Sequence, residues 1–330
     1  MSTVHQHDAL SDDATARLRE IAERLRSWQG PFVVIGHVDP DGDAVGSVLC
    51  VARALRRLGK SVSAPITPPR FLGFLAEPGE LCEPLETLPD ETLLMVLDCD
   101  LARATGSPLE GAALVVNLDH HPGNPGDADL HLVQPQLAAT AVLVKHLLDE
   151  LGVDWDSHLA TPCLCGILSD TGNFRYANTD RHTLEVAGAL IESGVDYPEL
   201  TDRLQWRHPD YFCRLASVLA TTRFHFDGAL VTIHQDAAMR AAHDASDDDS
   251  NDFVGIVRYA EGTQVAAYLR EIEEGVKVSL RSRQGFSARR VCAALGGGGH
   301  EVAAGARLRG VDLVQAEALL KEAVAEELAR

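Results

Sequence analysis

One histidine and three aspartates crowd the segment GHVDPDGDAVGS (36–47), where His37, Asp41 and Asp43 stand close together in a turn softened by glycines. Hard oxygen donors and imidazole nitrogens at that density suit Mn²⁺ or Mg²⁺. A plainer account fits the same residues, with Asp43 capping a helix and the other aspartates forming an acidic turn. Three more segments carry related side chains. LDCD (97–100) places Asp98 at the end of an apolar run, NLDHHPGN (117–124) places Asp119, His120 and His121 at the end of another, and GILSDTGNFRY (166–176) ends an apolar helix on Asp170. Singly these are common patterns. Jointly they point to one rim, provided the intervening elements bring strand and helix ends together.

The elements that would do so are legible from apolar periodicity. An amphipathic helix over about 13–28 precedes PFVVIGH (31–37), a short continuous apolar run of the kind expected for a strand covered on both faces. Asp43 is expected as the N-cap of a helix through AVGSVLCVARALRRLG, closed by Gly59. SVSAPI (61–66), TLLMVLD (92–98) and ALVVNLD (113–119) are further buried-strand candidates, and helices are expected over 139–151, 158–169, 181–193 and 197–206. This alternation predicts an α/β fold, a parallel sheet with helices on both faces. His37, Asp98 and Asp119 then fall at the carboxyl ends of strands, where ligands of such sheets bind.

After a connecting helix near 211–222 the pattern changes. RFHFDGALVTIHQ and DFVGIVRYAEGTQVAAYLREIEEGVKVSLRSR read as paired strands joined by turns, the start of a smaller α+β domain. The expected division is a catalytic domain over 1–195, a helical linker over 196–224 and a substrate-binding domain over 225–330. SDDDSND (246–252) reads as a solvated acidic loop.

These motifs in this order, followed by GGGGHEVAAG (296–305), resemble the DHH phosphoesterase superfamily, in the branch that includes bacterial nanoRNA and phosphoadenosine-phosphate hydrolases. The resemblance runs from about residue 20 to the C-terminus. It implies two Mn²⁺ ions, with Mg²⁺ or Co²⁺ as substitutes. His37 and Asp41 would serve one ion, Asp43, His120 and Asp170 the other, and Asp98 would bridge them. It implies that Asp119 supports the site from behind while His121 faces the substrate phosphate, stabilising charge or protonating the leaving group. Asp39 and Asp100 match no ligand position, and Arg103 matches an arginine often found there. The site is expected in the cleft between the two domains.

Independently of any resemblance, a phosphodiester repels an anionic nucleophile. Two divalent cations about 3.5–4 Å apart can activate a water, neutralise the phosphate and stabilise the leaving oxygen. In the second half, Gly297, Gly298 and Gly299 allow backbone amides to approach a phosphate, and His300 can hydrogen-bond the same group. Arg281 and Arg283 alternate on a strand and are expected to share a face toward phosphate or base, with Arg258 as a further candidate. Glu301 departs from the basic or small residue common in relatives and would weaken phosphate binding.

Composition narrows the substrate. The chain has 330 residues and a formal charge of −20, which excludes a broad basic surface for long DNA. Of 29 basic residues 25 are arginine, suited to bidentate phosphate contacts. The expected substrates are therefore short RNA oligomers, linear dinucleotides and 3′-phosphoadenosine 5′-phosphate, with cyclic di-AMP as a further candidate. The alternatives are a RecJ-like single-strand exonuclease, a pyrophosphatase or exopolyphosphatase, and, last, a nucleotide sensor without catalysis. No run of eighteen apolar residues and no basic-then-apolar leader is present, so a soluble, cytoplasmic protein with no membrane partner is expected, compatible with a homodimer. The seven cysteines lack framework spacing and read as reduced packing residues.

Overall fold

The structure, a computed structural model, describes residues 10–242, 253–299 and 301–330. They divide into two compact units, Met1–Trp206 and Arg207–Arg330. SDDDSND (246–252) and His300 lie outside the described residues.

The first unit opens with α1 (Asp12–Ser27), then β1 (Phe32–Ile35), α2 (Gly42–Arg57), β2 (Val62–Ser63), β3 (Leu93–Leu97), β4 (Leu114–Asp119), β5 (Leu130–Val133), α3 (Thr140–Glu150), α4 (Ser157–Asp170), α5 (Arg181–Glu192) and α6 (Tyr197–Gln205). The strands form one parallel sheet in the order β2-β1-β3-β4-β5. The apolar runs become strands buried on both sides because alternate residues feed different clusters. Phe32, Val34, Leu93, Met95 and Leu118 face the helices, while Val33, Ile35, Leu94 and Val96 face the other way.

The α/β class holds, but its second face differs from the expectation of helices on both sides. Val33, Ile35, Leu94 and Val96 are covered by Leu85, Leu88, Leu101, Leu109 and Ala112, from irregular segments and the 3₁₀ turn Leu101–Arg103. Short apolar residues spaced along those loops close the face without the length an α-helix needs. SVSAPI contributes only the two residues of β2, and β5, a four-residue edge strand, carried too short an alternation to be expected.

Helix α2 begins one residue pair earlier than expected. Its N-cap is Asp41, whose Oδ1 accepts from the amides of Asp43 and Ala44 at 2.9 and 3.2 Å, and Asp43 lies inside the helix. Two helices then meet at unusually close range. A Cβ on Gly46 of α2 would stand 2.2 Å from the Pro162 carbonyl oxygen of α4, and one on Gly166 of α4 would stand 2.7 Å from Asp43 Oδ1. Backbone against backbone, α2 and α4 thus bring Asp43 and Asp170 to the same end of the sheet.

The second unit comprises α7 (Pro209–Leu219), β6 (Arg223–His225), β7 (Leu230–Gln235), α8 (Ala237–Ala241), α9 (Phe253–Val257), β8 (Val265–Ile272), β9 (Gly275–Ser282), α10 (Ala288–Ala294), β10 (Gly298–Gly299), β11 (Ala303–Arg309) and α11 (Leu313–Leu328). Its sheet runs β10-β11-β9-β8-β7-β6 and is mixed, with β7 and β8 parallel and the other pairs antiparallel. Helices α10 and α11 cover one face, and α7 and α9 cover part of the other. FVGIV (253–257), part of a run expected as a strand, is helix α9 instead. Phe253, Val254 and Val257 share one helical face and bury it against Val231, Ile233 and Tyr268. Among the described residues no helix is long and apolar enough to cross a membrane. All seven cysteines are free, five of them buried.

Gly46→Ala is expected to lower stability by about 1–3 kcal/mol despite the better helix propensity of alanine, because the added methyl group meets backbone that cannot give way. Denaturant unfolding would check this, and an unchanged or raised midpoint would contradict the packing argument.

Candidate functional site

At the carboxyl ends of β1, β3 and β4 the chain turns and delivers His37, Asp98 and the 119–121 triplet to one rim, where the N-terminus of α2 and the C-terminus of α4 add Asp41, Asp43 and Asp170. The six residues proposed from the sequence as metal ligands come together. His37, Asp41 and Asp98 form one group and Asp43, His120 and Asp170 another, each with donor atoms within 4.8 Å of one another. Asp98 belongs to both neighbourhoods. Its Oδ2 lies 3.5 Å from His37 Nε2 and its Oδ1 lies 3.6 Å from His120 Nε2.

Each donor is fixed from behind. His37 Nδ1 is 2.8 Å from the Val38 carbonyl and His120 Nδ1 is 3.2 Å from that of Leu137, so both rings carry Nδ1–H and turn Nε2 to the carboxylates. Asp43 is wholly buried. Its two oxygens accept from the first amides of α3, Thr140 at 2.6 Å and Ala141 at 2.8 Å, and Ser47 Oγ donates at 3.2 Å. Asp43 therefore caps α3, ninety-odd residues away, whose own N-cap Ala139 offers no side chain. Thr140 Oγ1 also donates to Asp98 Oδ1 at 2.9 Å.

Asp98 has a left-handed backbone, φ 65°, a conformation that costs a non-glycine residue roughly 1–2 kcal/mol. Such strain persists where surroundings over-determine it, and it marks a position held for its side chain.

Asp119 orients His121 and not the ring of His120. Its Oδ1 accepts from the amides of His120 and His121 at 2.7 and 3.1 Å and from His121 Nδ1 at 2.7 Å, while Asn124 Nδ2 donates to Oδ2 at 2.7 Å. His121 Nδ1 lies 3.8 Å from Asp98 Oδ1. Asp39 is exposed, and Asp100 caps the 3₁₀ turn by accepting from the Arg103 amide at 2.9 Å. Thr140, Ser47, Asn117 and Asn124 were not expected. For the threonine no local signal exists, since its contact is with residues far along the chain, whereas both asparagines stand inside the NLDHHPGN motif.

The electrostatics follow from burial and crowding. Burial, then the charges of Asp43, Asp41 and Asp170, push Asp98 well above the usual carboxylate range. Burial, with Asp43 and Asp41, raises Asp170 to about 7 against the opposing pull of His120. Burial alone would lower His120, but Asp170, Asp43 and Asp98 outweigh it and lift the imidazole to about 10. Asp119 goes the other way. Burial would raise it, yet its bonds from His121 and Asn124 hold it below the ordinary range. The cluster as a whole holds excess negative charge.

A divalent cation fits this donor set. His120 Nε2 is buried without a hydrogen-bond partner; it lies 3.1 Å from Asp170 Oδ2 but without hydrogen-bond alignment, and 3.9 Å from Asp43 Oδ2. A buried imidazole nitrogen without a hydrogen-bond partner, facing carboxylates that repel one another, marks a place made for positive charge, whether a proton or a metal ion.

In the second unit, Arg281 is half-buried on β9 opposite Ala303 and Ala266, and its Nη1 donates to the Leu280 carbonyl at 3.0 Å. Arg283 is exposed beyond the strand end, and its Nη2 reaches the carbonyl of Arg258 at 3.4 Å. Arg283 is therefore near Arg258, while Arg281 alone belongs to the strand. Two of the three glycines have a packing reason. A Cβ on Gly297 would meet the Gly305 carbonyl at 2.1 Å, and Gly299, φ 141°, would meet that of Ala303 at 2.6 Å, whereas Gly298 faces open space. Glu301 is exposed and stands 3.8 Å from Arg290, which tempers its charge.

Comparison with known proteins places this fold and site in a class. Residues 31–167 match the DHH family, N-terminal domain, and residues 233–329 match the DHHA1 domain. A solved exopolyphosphatase-related protein from Bacteroides fragilis superposes with a TM-score of 0.87 over 96% of this chain and 98% of that one, at 23% identity, which establishes the shared fold. The chain is 51% identical over 317 residues, 95% of each sequence, to the bifunctional oligoribonuclease and PAP phosphatase NrnA of Thermus thermophilus. It is 27% identical to the Bacillus subtilis protein of the same name, over 91% of this chain and 97% of that one. The chain belongs to the DHH family.

The titrations predict a pH dependence for the metal-free protein. Asp170, ordinarily 3.8, is at about 7 when folded, and His120, ordinarily 6.5, is at about 10. Both bind a proton more tightly folded than unfolded. Their stabilisation is complete below the ordinary values and is lost as pH rises through the folded ones. The Tm of the chelator-treated protein is expected to fall from about pH 6 to about pH 9, and saturating Mn²⁺ to flatten that fall by replacing the protons. A thermal-shift series would show it; a level metal-free Tm across the interval would count against the crowding.

Proposed function

We propose that this chain is a two-metal phosphoesterase that hydrolyses short RNA oligomers and linear dinucleotides to 5′-mononucleotides and dephosphorylates 3′-phosphoadenosine 5′-phosphate. The observation that carries the reading is Asp98, whose two oxygens face two separate sets of imidazole and carboxylate donors. Two further findings support it: the match to both domains, and 51% identity along nearly the whole chain to a relative named for these two activities.

In this reading His37, Asp41 and Asp98 would hold one ion, and Asp43, His120 and Asp170, with Asp98 shared, would hold the other. We assign Mn²⁺, on the mixed imidazole and carboxylate donors. When bound, the pair supplies Lewis acidity, neutralising the phosphate and making a water acidic enough to attack. The protein's own groups do the rest. Asp119 fixes the proton of His121 on Nδ1 and stabilises the imidazolium, so that His121 can give a proton at Nε2 to the leaving oxygen. Thr140 and the α3 amides keep Asp98 and Asp43 in place without moving when charge develops. Arg281, Arg283, Arg258, Gly298 and His300 of the second unit grip phosphate and base. The charge of −20 favours short substrates, whose few phosphates need few cationic contacts.

With Mn²⁺ present, an RNA dimer and 3′-phosphoadenosine 5′-phosphate are expected to turn over faster than a long single-stranded DNA, cyclic di-AMP or pyrophosphate, and Asp98→Ala to abolish all activity. Fast turnover confined to pyrophosphate or to long DNA would overturn the reading. Asp119→Asn is expected to reduce kcat about 10–100-fold, because the ring it orients loses its fixed proton. Steady-state kinetics on the dimer would measure it.

A further inference from the structure

We propose that Asn117 and Asn124 are positioning residues, a strut of two amides that sets the Asp98 turn and the Asp119–His121 pair relative to each other. The inference deepens the reading above and rests on it for the catalytic half of its test. Asn117 sits within β4 between Val116 and Leu118, wholly buried, where an apolar side chain would serve the sheet as well. A buried amide is costly unless bonded, and this one is fully used. Its Nδ2 donates to the carbonyls of Val96 at 2.9 Å and Cys99 at 2.8 Å, and its Oδ1 accepts from Asn124 Nδ2 at 2.8 Å.

The two carbonyls flank Asp98 on either side, at the one point in the motif where the backbone takes a left-handed conformation. Asn117 thus clamps the turn that aims the Asp98 carboxylate. Asn124 continues the chain of bonds. Its Nδ2 donates to Asp119 Oδ2 at 2.7 Å and, more distantly, to Cys99 O at 3.3 Å, and its Oδ1 accepts from the Gly126 amide at 2.9 Å. Asp119 Oδ1 then holds His121. Only one orientation of each amide satisfies these partners, because a carboxylate requires the NH₂ of Asn124 and the Gly126 N–H requires its oxygen. Reversing either amide would set oxygen against oxygen.

The strut therefore ties an aspartate that faces both donor groups to the histidine beside them. An error of about 1 Å in such a distance can cost on the order of 10²-fold in rate. The two halves are separable. Asn117 acts on Asp98 and so on ion binding, whereas Asn124 acts through Asp119 on His121 and so on the chemical step.

Three variants test this, each checked first for a retained Tm. Asn124→Ala is expected to lower kcat on the RNA dimer about 10–100-fold with KM little changed. Asn124→Asp, nearly the same size, is expected to be worse than Asn124→Ala, because it sets a second carboxylate against Asp119. A merely space-filling role requires the opposite order, and finding it would overturn the proposal. Mn²⁺ binding without substrate, followed by electron paramagnetic resonance of the free ion, is expected to weaken about 10–100-fold in Asn117→Ser and to stay unchanged in Asn124→Ala. Equal affinity in Asn117→Ser and the parent would overturn the Asp98 half. If Asn117→Ser fails to fold, the Asn124 pair decides. Should the parent protein hydrolyse none of the nucleotides, the proposed function fails, while the Mn²⁺ measurement still tests the clamp on Asp98.

Discussion

Mutual repulsion among Asp41, Asp43, Asp98 and Asp170 is the constraint to which the first unit is built. Two of these carboxylates are almost wholly inaccessible to solvent, and burial of like charges is among the costliest things a fold can do. The chain offsets that cost with directed donors. The α3 amides and Ser47 meet Asp43, Thr140 meets Asp98, and two imidazoles with fixed Nδ1 protons stand between the groups. What remains is still negative enough to raise Asp98 and Asp170. The residual charge is the driving force for cation binding, so stability and activity draw on the same imbalance.

The architecture can be understood as the means of holding that imbalance still. A parallel sheet delivers strand ends to one rim, and short apolar strands buried on both faces leave their ends little freedom to shift. Gly46 and Gly166 let α2 and α4 touch backbone to backbone, which puts Asp43 and Asp170 within reach of the same histidine. Asp43 shows how tightly the two levels are joined. It is at once a donor facing His120 and the N-terminal cap of α3, so the helix dipole that α3 contributes is spent on the carboxylate that most needs it.

Much of this was legible in the sequence, for a physical reason. Apolar runs that end in Asp or His mark strand ends, and the order of strands and helices restricts where those ends can meet. The failures are equally physical. Asp41 and Asp43 are both good caps two residues apart, and which one caps depends on α3, which nothing local reveals. DFVGIV is rich in β-branched residues, yet its 253, 254 and 257 positions bury one helical face on the sheet, and packing overrode propensity. The second face of the parallel sheet is closed by loops whose apolar residues follow neither period. Gly297 and Gly299, singled out for phosphate contact, also have a packing reason that no local pattern reveals, their close approach to β11.

The division between directly facing groups and their supports explains why the histidine triplet motif needs three polar residues in a row and two asparagines around it. His120 can be aimed by a single backbone carbonyl, because its surroundings are already anionic. His121 is held differently: in the proposed reaction it gives up a proton, and a ring in that role needs a partner whose own charge stays constant. Asp119 suits that part: burial would raise it, but donated hydrogen bonds hold it below the usual range, whereas Asp98 and Asp170 are raised. Asn124 is one source of those bonds, and Asn117 is what keeps Asn124 from turning. Within this cluster burial and like charge raise Asp43, Asp98 and Asp170, while Asp41 and Asp119 are held low against burial by the groups that bond to them: His37 and the α2 amides for Asp41, His121 and Asn124 for Asp119.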